Sequence, residues 1–239
     1  MYARKHHSIA STWLNDILNL FYPNLCVACG RLLQGGEESI CLFCRHDLPE
    51  TDFHKKRGNP IHQKFYGRLL LDNAASLYHF HKGARVQHLM HAFKYEGKKQ
   101  IGIELGKLYG HYLKEAPGFS SVQIVIPVPL HRAKLHQRGF NQSEIFSRGL
   151  AETMHIQSIP EGLERIVFTE TQTHKNRMER WENVKSVFKC KHAEKINGNH
   201  ILLVDDVVTT GATLEACGQE LFNSCRDIRL SVATIACAD

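Results

Sequence analysis

Residues 201–213 read Ile201-Leu202-Leu203-Val204-Asp205-Asp206-Val207-Val208-Thr209-Thr210-Gly211-Ala212-Thr213. Four successive apolar side chains predict a short strand buried on both faces, as in a parallel sheet covered by helices. Ligands of such sheets bind at the carboxyl ends of the strands. Two adjacent aspartates placed there are costly to bury, and their usual employment is to hold ribose hydroxyls or a metal ion. The Thr-Thr-Gly-Ala-Thr run then supplies hydroxyls, a glycine free to take positive φ and amide groups at a helix N-terminus, which together suit a phosphate. No Gly-Lys-Ser/Thr follows and no Gly-x-Gly-x-x-Gly is present, so a P-loop and a dinucleotide fingerprint are excluded. A lone Asp-Asp would read as two solvated carboxylates with Thr213 as a helix cap. Strand, acid pair and phosphate loop in succession favour a ligand site.

The same unit of strand, loop and helix occurs upstream. Val122 to Ile126 is a β-rich run ended by Pro127-Val128-Pro129, and Asn141-Gln142-Ser143-Glu144 reads as a capping box opening a helix to about His155. Ser231 to Cys237 supplies a last strand, and the alternation from about residue 74 predicts an α/β domain. Between Val86 and Leu113 the pattern is helical, with Gly102, Gly106 and Gly110 on one face, a stripe that predicts close packing against a neighbouring element. Residues 53 to 68 are basic and loop-like, with Arg57-Gly58-Asn59-Pro60 as the expected linker or exposed turn. Residues 9 to 22 place Trp13, Leu14, Ile17, Leu18 and Phe21 at helical spacing before Pro23, which predicts a helix packing on the body of the protein.

Cys26-x-x-Cys29 and Cys41-x-x-Cys44 form two knuckles separated by eleven residues. Four thiolates at tetrahedral reach suit zinc, and Gly30 relieves the backbone as it turns. A redox couple would need a βαβ context that residues 24 to 50 are too short to form. Four sulfur ligands close the coordination shell, so the zinc is expected to be structural. Three parts follow: an amphipathic helix over 1–22, a zinc ribbon over 23–52 and an α/β domain over 53–239.

The 239 residues are 43% hydrophobic and 23% charged, which excludes a disordered, collagenous or fibrous chain. No apolar run approaches the roughly 20 residues needed to cross a bilayer, and the N-terminus does not read as a secretory signal. The net charge of +6 is compatible with a phosphate-bearing ligand or nucleic acid. Beyond the two knuckles, Cys190, Cys217, Cys225 and Cys237 are scattered among apolar neighbours, a usage that points to a reducing cytoplasm.

The segment 201–213 resembles the phosphoribosyl pyrophosphate signature of type I phosphoribosyltransferases. The chain as a whole, over about residues 14 to 237, resembles the ComF family, which pairs an N-terminal zinc ribbon with a phosphoribosyltransferase-like domain. The resemblance rests on Tyr22-Pro23, Phe93-Lys94-Tyr95-x-Gly97, Val125-Ile126-Pro127-Val128-Pro129-Leu130, Arg138-Gly139-Phe140-Asn141-Gln142-Ser143, and Gln172-Thr173 through Arg177, Arg180 and Asn183-Val184, in that order. It implies a parallel sheet flanked by helices. It also implies that Asp205 and Asp206 hold the ribose 2′ and 3′ hydroxyls, that the stretch from Val207 through Thr209, Thr210, Gly211, Ala212 and Thr213 binds the sugar phosphate, and that Pro127, Val128, Pro129 and Leu130 face the pyrophosphate. Mg²⁺ would accompany the ligand, and Asp205, Asp206, Arg138 and Lys94 are the implied catalytic set. Such proteins are associated with DNA uptake in competent bacteria, alongside the competence machinery, or are described as amidophosphoribosyltransferase-like.

Lys94 reads equally as a catalytic group or an exposed helix lysine. His131, Arg132, Lys134, His136 and Arg138 form one basic run, and Lys175, Arg177, Arg180 and Lys185 a second. The first joins a phosphate-facing loop to Gly139-Phe140 and reads as a mobile loop closing on pyrophosphate. Arg132, Lys134, Arg138, Arg177 and Arg180 also read as a path for single-stranded DNA, with Phe140 or Trp181 available for base stacking. Residues 53 to 120 carry no legible site for an acceptor. Two functions therefore stay open: transfer of phosphoribose to an unidentified acceptor, or a DNA-processing accessory that binds phosphoribosyl pyrophosphate or single-stranded DNA without turnover.

Overall fold

The run 201–204 is fully buried and lies within a longer strand, His200–Val208, that includes both aspartates. The computed structural model describes residues 23–166 and 187–238. The helix expected over 9–22 and the second basic run lie outside the described residues. The chain divides into two compact units, 1–48 and 49–239.

In the larger unit β1 (Asn73–Phe80), β2 (Ile124–Pro127), β3 (Gln157–Ser158), β6 (His200–Val208) and β7 (Arg229–Ala238) form one parallel sheet in the order β1-β7-β6-β2-β3. The α/β sheet flanked by helices is therefore as expected. β6 occupies its centre, which explains the unbroken apolar run: both faces are covered. β4 (Leu163–Arg165) and β5 (Phe188–Cys190) form a separate antiparallel pair, and the short helix α7 (Ala193–Ile196) leads from β5 to β6. One layer of the core joins Ile124 and Ile126 of β2, Ile201 and Leu203 of β6 and Leu230 and Val232 of β7 to Leu214, Cys217 and Leu221 of α8 (Ala212–Ser224).

The helical stretch 86–113 is two helices, α3 (Arg85–Tyr95) and α4 (Lys99–Glu115), parted at Gly97, which takes φ +69°. The glycine stripe of α4 packs on α6 (Gln142–Met154), as the spacing implies: a Cβ on Gly106 would lie 2.4 Å from the carbonyl oxygen of Phe146, and one on Gly149 2.4 Å from that of Ile103. This close approach fixes α6, whose N-terminus enters the site.

Two expectations are corrected. Arg57-Gly58-Asn59-Pro60 is no linker. Asn59 is 6% exposed, and its side chain caps α2 (Pro60–Gln63) while donating to the Ala74 carbonyl of β1 at 2.7 Å. The other alternative, an exposed turn, holds at Arg57-Gly58, where Gly58 takes φ +64°, and the proline with asparagine before it then starts a helix. The basic run 131–138 is no loop either. His131 caps a short helix, α5 (Arg132–Arg138), that Gly139 ends in the left-handed conformation at φ +76°.

In the smaller unit, α1 (Leu42–Asp47) carries the second knuckle, with Cys41 as its N-cap and Cys44 buried within it. Gly30 adopts φ +74°, the conformation its place beside Cys29 calls for.

Candidate functional site

β6 carries Asp205 and Asp206 to the carboxyl side of the central strand, where successive side chains leave opposite faces of the sheet. Different elements receive them. Ser143, one residue into α6, donates its hydroxyl to Asp205 Oδ1 at 2.8 Å, and the amide of Asp206 donates to the same oxygen at 2.8 Å. Lys94, near the end of α3, pairs through Nζ with Asp206 Oδ2 at 2.8 Å, the two side chains being 21% and 14% exposed. Lys94 is thus not an exposed helix lysine but a partly buried partner of the acid pair. Burial, and next the neighbouring Asp206 charge, push the Asp205 carboxyl up to about 7, against the lowering effect of Ser143 and Lys94.

Beyond the strand, Thr209 and Thr210 are exposed, and Gly211 is the N-cap of α8 at φ +80°. Thr213, which the alternative of two solvated carboxylates would make the cap, lies one residue inside the helix. Thr210 Oγ1 approaches the amide of Ala212 at 3.4 Å, and the first-turn amides of α8 have no carbonyl one turn behind them. Val207 remains within the strand.

The loop 127–130 leaves the neighbouring strand. Pro127 and Val128 are buried, whereas Pro129 and Leu130 are half-buried. Val128 has both backbone groups engaged, its amide donating to the Val204 carbonyl at 2.8 Å and its carbonyl accepting from Asn141 Nδ2 at 3.0 Å. Asn141 also caps α6 by accepting the amide of Ser143 at 3.2 Å. One helix start thus holds the loop after β2 and the first aspartate of β6 together. Beside that loop lies a pocket of about 330 Å³, lined by Pro129, Leu130, Arg132, Glu164, Arg165 and Lys191 among others. Glu164 accepts from Lys191 at 3.0 Å and Arg132 at 3.2 Å, and these cations, Lys191 foremost, hold its carboxyl below the usual range.

The basic residues named in the sequence do not act alike. Arg132 and Lys134 are exposed, the Arg132 side chain 87% so. Arg138 is drawn back, its guanidinium bonded to Gln142 Oε1 at 3.1 Å and lying 5.5 Å over the Tyr95 ring. Phe140 is unavailable for base stacking: it is 6% exposed and packs against Phe93. Arg177, Arg180 and Trp181 lie outside the described residues.

The stretch 60–68, expected from the sequence only to be basic and loop-like, reaches the phosphate-loop candidate. Lys64 Nζ donates to the Thr209 carbonyl and Arg68 Nη1 to that of Thr210, at 3.0 and 3.1 Å. Ser143, Arg165 and Lys191 were missed as well. For Ser143 the one available signal was its place beside the cap residue Asn141. For Lys64, Arg68, Arg165 and Lys191 no local signal exists, because their contacts are made only by the fold.

In the smaller unit the sulfurs of Cys26, Cys29, Cys41 and Cys44 all lie within 4.8 Å of one another. The edge of a tetrahedron with metal–sulfur bonds of about 2.3 Å is near 3.8 Å, and Cys29 and Cys41 stand 3.7 Å apart. The cluster can hold a metal such as zinc. Burial pushes the Cys26 thiol up, but amide donors led by Cys41 outweigh it and bring it down to about 7. All eight cysteines are free thiols. Among the described residues no helix is long and apolar enough to cross a membrane.

No family model matches the chain. It is 28% identical over 220 residues to the DNA utilization protein YhgH of Shigella flexneri, covering 86% of this chain and 93% of that one. It is 26% identical over 205 residues to Competence protein F of Haemophilus influenzae, covering 81% and 89%. Among solved structures, adenine phosphoribosyltransferase from Saccharomyces cerevisiae aligns with a TM-score of 0.38 at 17% identity, covering 59% of this chain and 69% of that one.

Proposed function

We propose, for a chain that belongs with the ComF-like DNA utilization and competence proteins, a role in DNA uptake or use built on a Mg²⁺–phosphoribosyl pyrophosphate site at the carboxyl end of β6. The observation that carries this reading is the acid pair itself. Asp205 and Asp206 stand on the central strand of a parallel sheet, each held by a separate polar partner, two residues before a Thr-Thr-Gly loop that opens a helix. Costly carboxylates kept in such a place serve a ligand.

In this reading the two carboxylates accept the ribose 2′ and 3′ hydroxyls, and the amides and hydroxyls of 209–213 receive the 5′-phosphate. The diphosphate lies along the loop 127–130, with Arg132, Arg165 and Lys191 of the adjoining pocket as counter-charges. Mg²⁺ bound with the ligand would neutralise the diphosphate oxygens. Lys94 exchanges its hold on Asp206 for a ligand oxygen, and Ser143 keeps Asp205 oriented. Arg138, bonded to Gln142, steadies the start of α6. If an acceptor attacks C1′, the ribose becomes oxocarbenium-like while diphosphate leaves, and these residues act by positioning and charge neutralisation. The four thiolates hold a structural zinc whose closed shell leaves no site for water. Outside the cluster, Cys190, Cys217, Cys225 and Cys237 are thiols scattered among apolar neighbours, a usage that suits a reducing cytoplasm.

The exposed Arg132 and Lys134 favour a second reading, in which single-stranded DNA binds the same edge without turnover. Pyrophosphate release and DNA affinity, measured together with Mg²⁺–phosphoribosyl pyrophosphate present and absent, separate the two. Transferase function predicts release that requires an acceptor. The accessory role predicts no release and a DNA affinity that changes with the ligand. In the accessory case, losing the Arg132 and Lys134 contacts flattens the log–log salt dependence by about 0.7 each. Absence of release together with indifference of DNA to the ligand contradicts both.

A further inference from the structure

Lys64 and Arg68 touch the candidate phosphate loop from across the chain, 145 and 142 residues away in sequence. Lys64 Nζ donates to the Thr209 carbonyl at 3.0 Å and to the Ala238 carbonyl at 3.0 Å, so one ammonium joins the ends of β6 and β7. Arg68 Nη1 donates to the Thr210 carbonyl at 3.1 Å, while Nη2 pairs with Glu215 in the first turn of α8. Between them the Phe65 ring closes on Gly211: a Cβ there would meet ring carbons at 2.8 Å, and φ is +80°.

A trans peptide sets the C=O of one residue and the N–H of the next in one plane, pointing opposite ways. No described peptide bond is cis. Anchoring the carbonyls of Thr209 and Thr210 to two cations therefore turns the amides of Thr210 and Gly211 to the other side of the loop. There they join the first-turn amides of α8, which have no carbonyl one turn behind them; that of Ala212 meets only Thr210 Oγ1, at 3.4 Å. Carbonyl oxygens, which would repel an anion, are held away from that side with their partial charge compensated.

We infer that Lys64 and Arg68 are positioning residues for a phosphate monoester. They hold loop 209–213 with its amides presented as a cradle and do not themselves touch the ligand. This rests on the reading of that loop as the 5′-phosphate site and adds the residues that keep it open. Their effect is confined to one end of the ligand, because neither residue lines the pocket beside the loop 127–130.

The test is calorimetry with Mg²⁺ on the full chain, using ribose 5-phosphate and inorganic pyrophosphate as separate probes of the two ends. Lys64→Met and Arg68→Met are expected to weaken ribose 5-phosphate by about tenfold while pyrophosphate stays within about twofold. Lys64→Arg, which keeps a cationic donor, recovers most of the loss. The Arg68 side chain is exposed, so its variant keeps the test independent of how Lys64→Met folds. Unchanged ribose 5-phosphate affinity, or equal loss of both probes, overturns the inference. Wild-type protein that binds neither probe overturns the underlying site assignment as well, a failure distinct from one seen only in the variants.

Discussion

Asp205 is the residue at which burial, charge and function conflict. Its carboxyl titrates near 7 because burial, and after it Asp206, oppose its ionisation. Between the ordinary carboxylate range and pH 7 the native state therefore keeps a proton that the unfolded chain has released. Its contribution to stability is complete at low pH and is lost as pH rises through about 7. Asp205→Asn removes that dependence. We expect the variant to be more stable than wild type at pH 8 by on the order of 2 kcal/mol, or roughly 5 °C in Tm, with the two melting curves converging toward pH 4. Thermal melts across that range check it, and a variant less stable at pH 8 would show that the Ser143 bond outweighs the charge. Ligand binding runs the other way. Accepting ribose hydroxyls or meeting Mg²⁺ requires the carboxylate, so affinity should fall as pH drops below 7.

Among the elements, α6 does most to assemble the site, since its start holds Val128 and Asp205 and its flank lies against the α4 glycines. Gly106→Ala places a methyl 2.4 Å from the Phe146 carbonyl, which only a backbone shift can relieve. Overpacking of this kind costs about 1–3 kcal/mol, so we expect a Tm lower by roughly 3–10 °C together with weaker ligand binding, measured by melts and titration on one preparation. An unchanged affinity would mean that the position of α6 does not set the acid pair. The sequence made β6, the acid pair and the glycine stripe legible, because each is local: an apolar run, a doublet, a four-residue period. It caught the turn at 57–58 but not the helix start at Asn59-Pro60, and it misread 131–138 as a loop where cap chemistry at His131 prevailed over the charge pattern. It was silent on Lys64 and Arg68, whose partners are brought to them only by folding. Phe140 looked available because an isolated aromatic beside glycine gives no sign of the Phe93 ring that covers it.

At the scale of the whole molecule, the cysteine module and the α/β unit are separate compact bodies, and their stabilities should part when the metal is taken away. Cys44→Ser leaves three thiolates, and metal analysis should show zinc lost while the melting transition of residues 49–239 moves by no more than about 2 °C, since metal-coupled folding is local to the ligands. Full zinc occupancy after loss of that ligand would reject the four-thiolate site. The most direct measurement of the site in the larger unit is isothermal titration of Mg²⁺–phosphoribosyl pyrophosphate into the wild-type chain and into the double variant Asp205→Asn, Asp206→Asn, at pH 8 where Asp205 is ionised. Saturable, Mg²⁺-dependent binding to wild type that weakens by about a hundredfold or more in a double variant of undiminished stability is the expected result. Equal affinity in the two proteins, or no binding to wild type, would contradict a phosphoribosyl pyrophosphate site at the carboxyl end of β6.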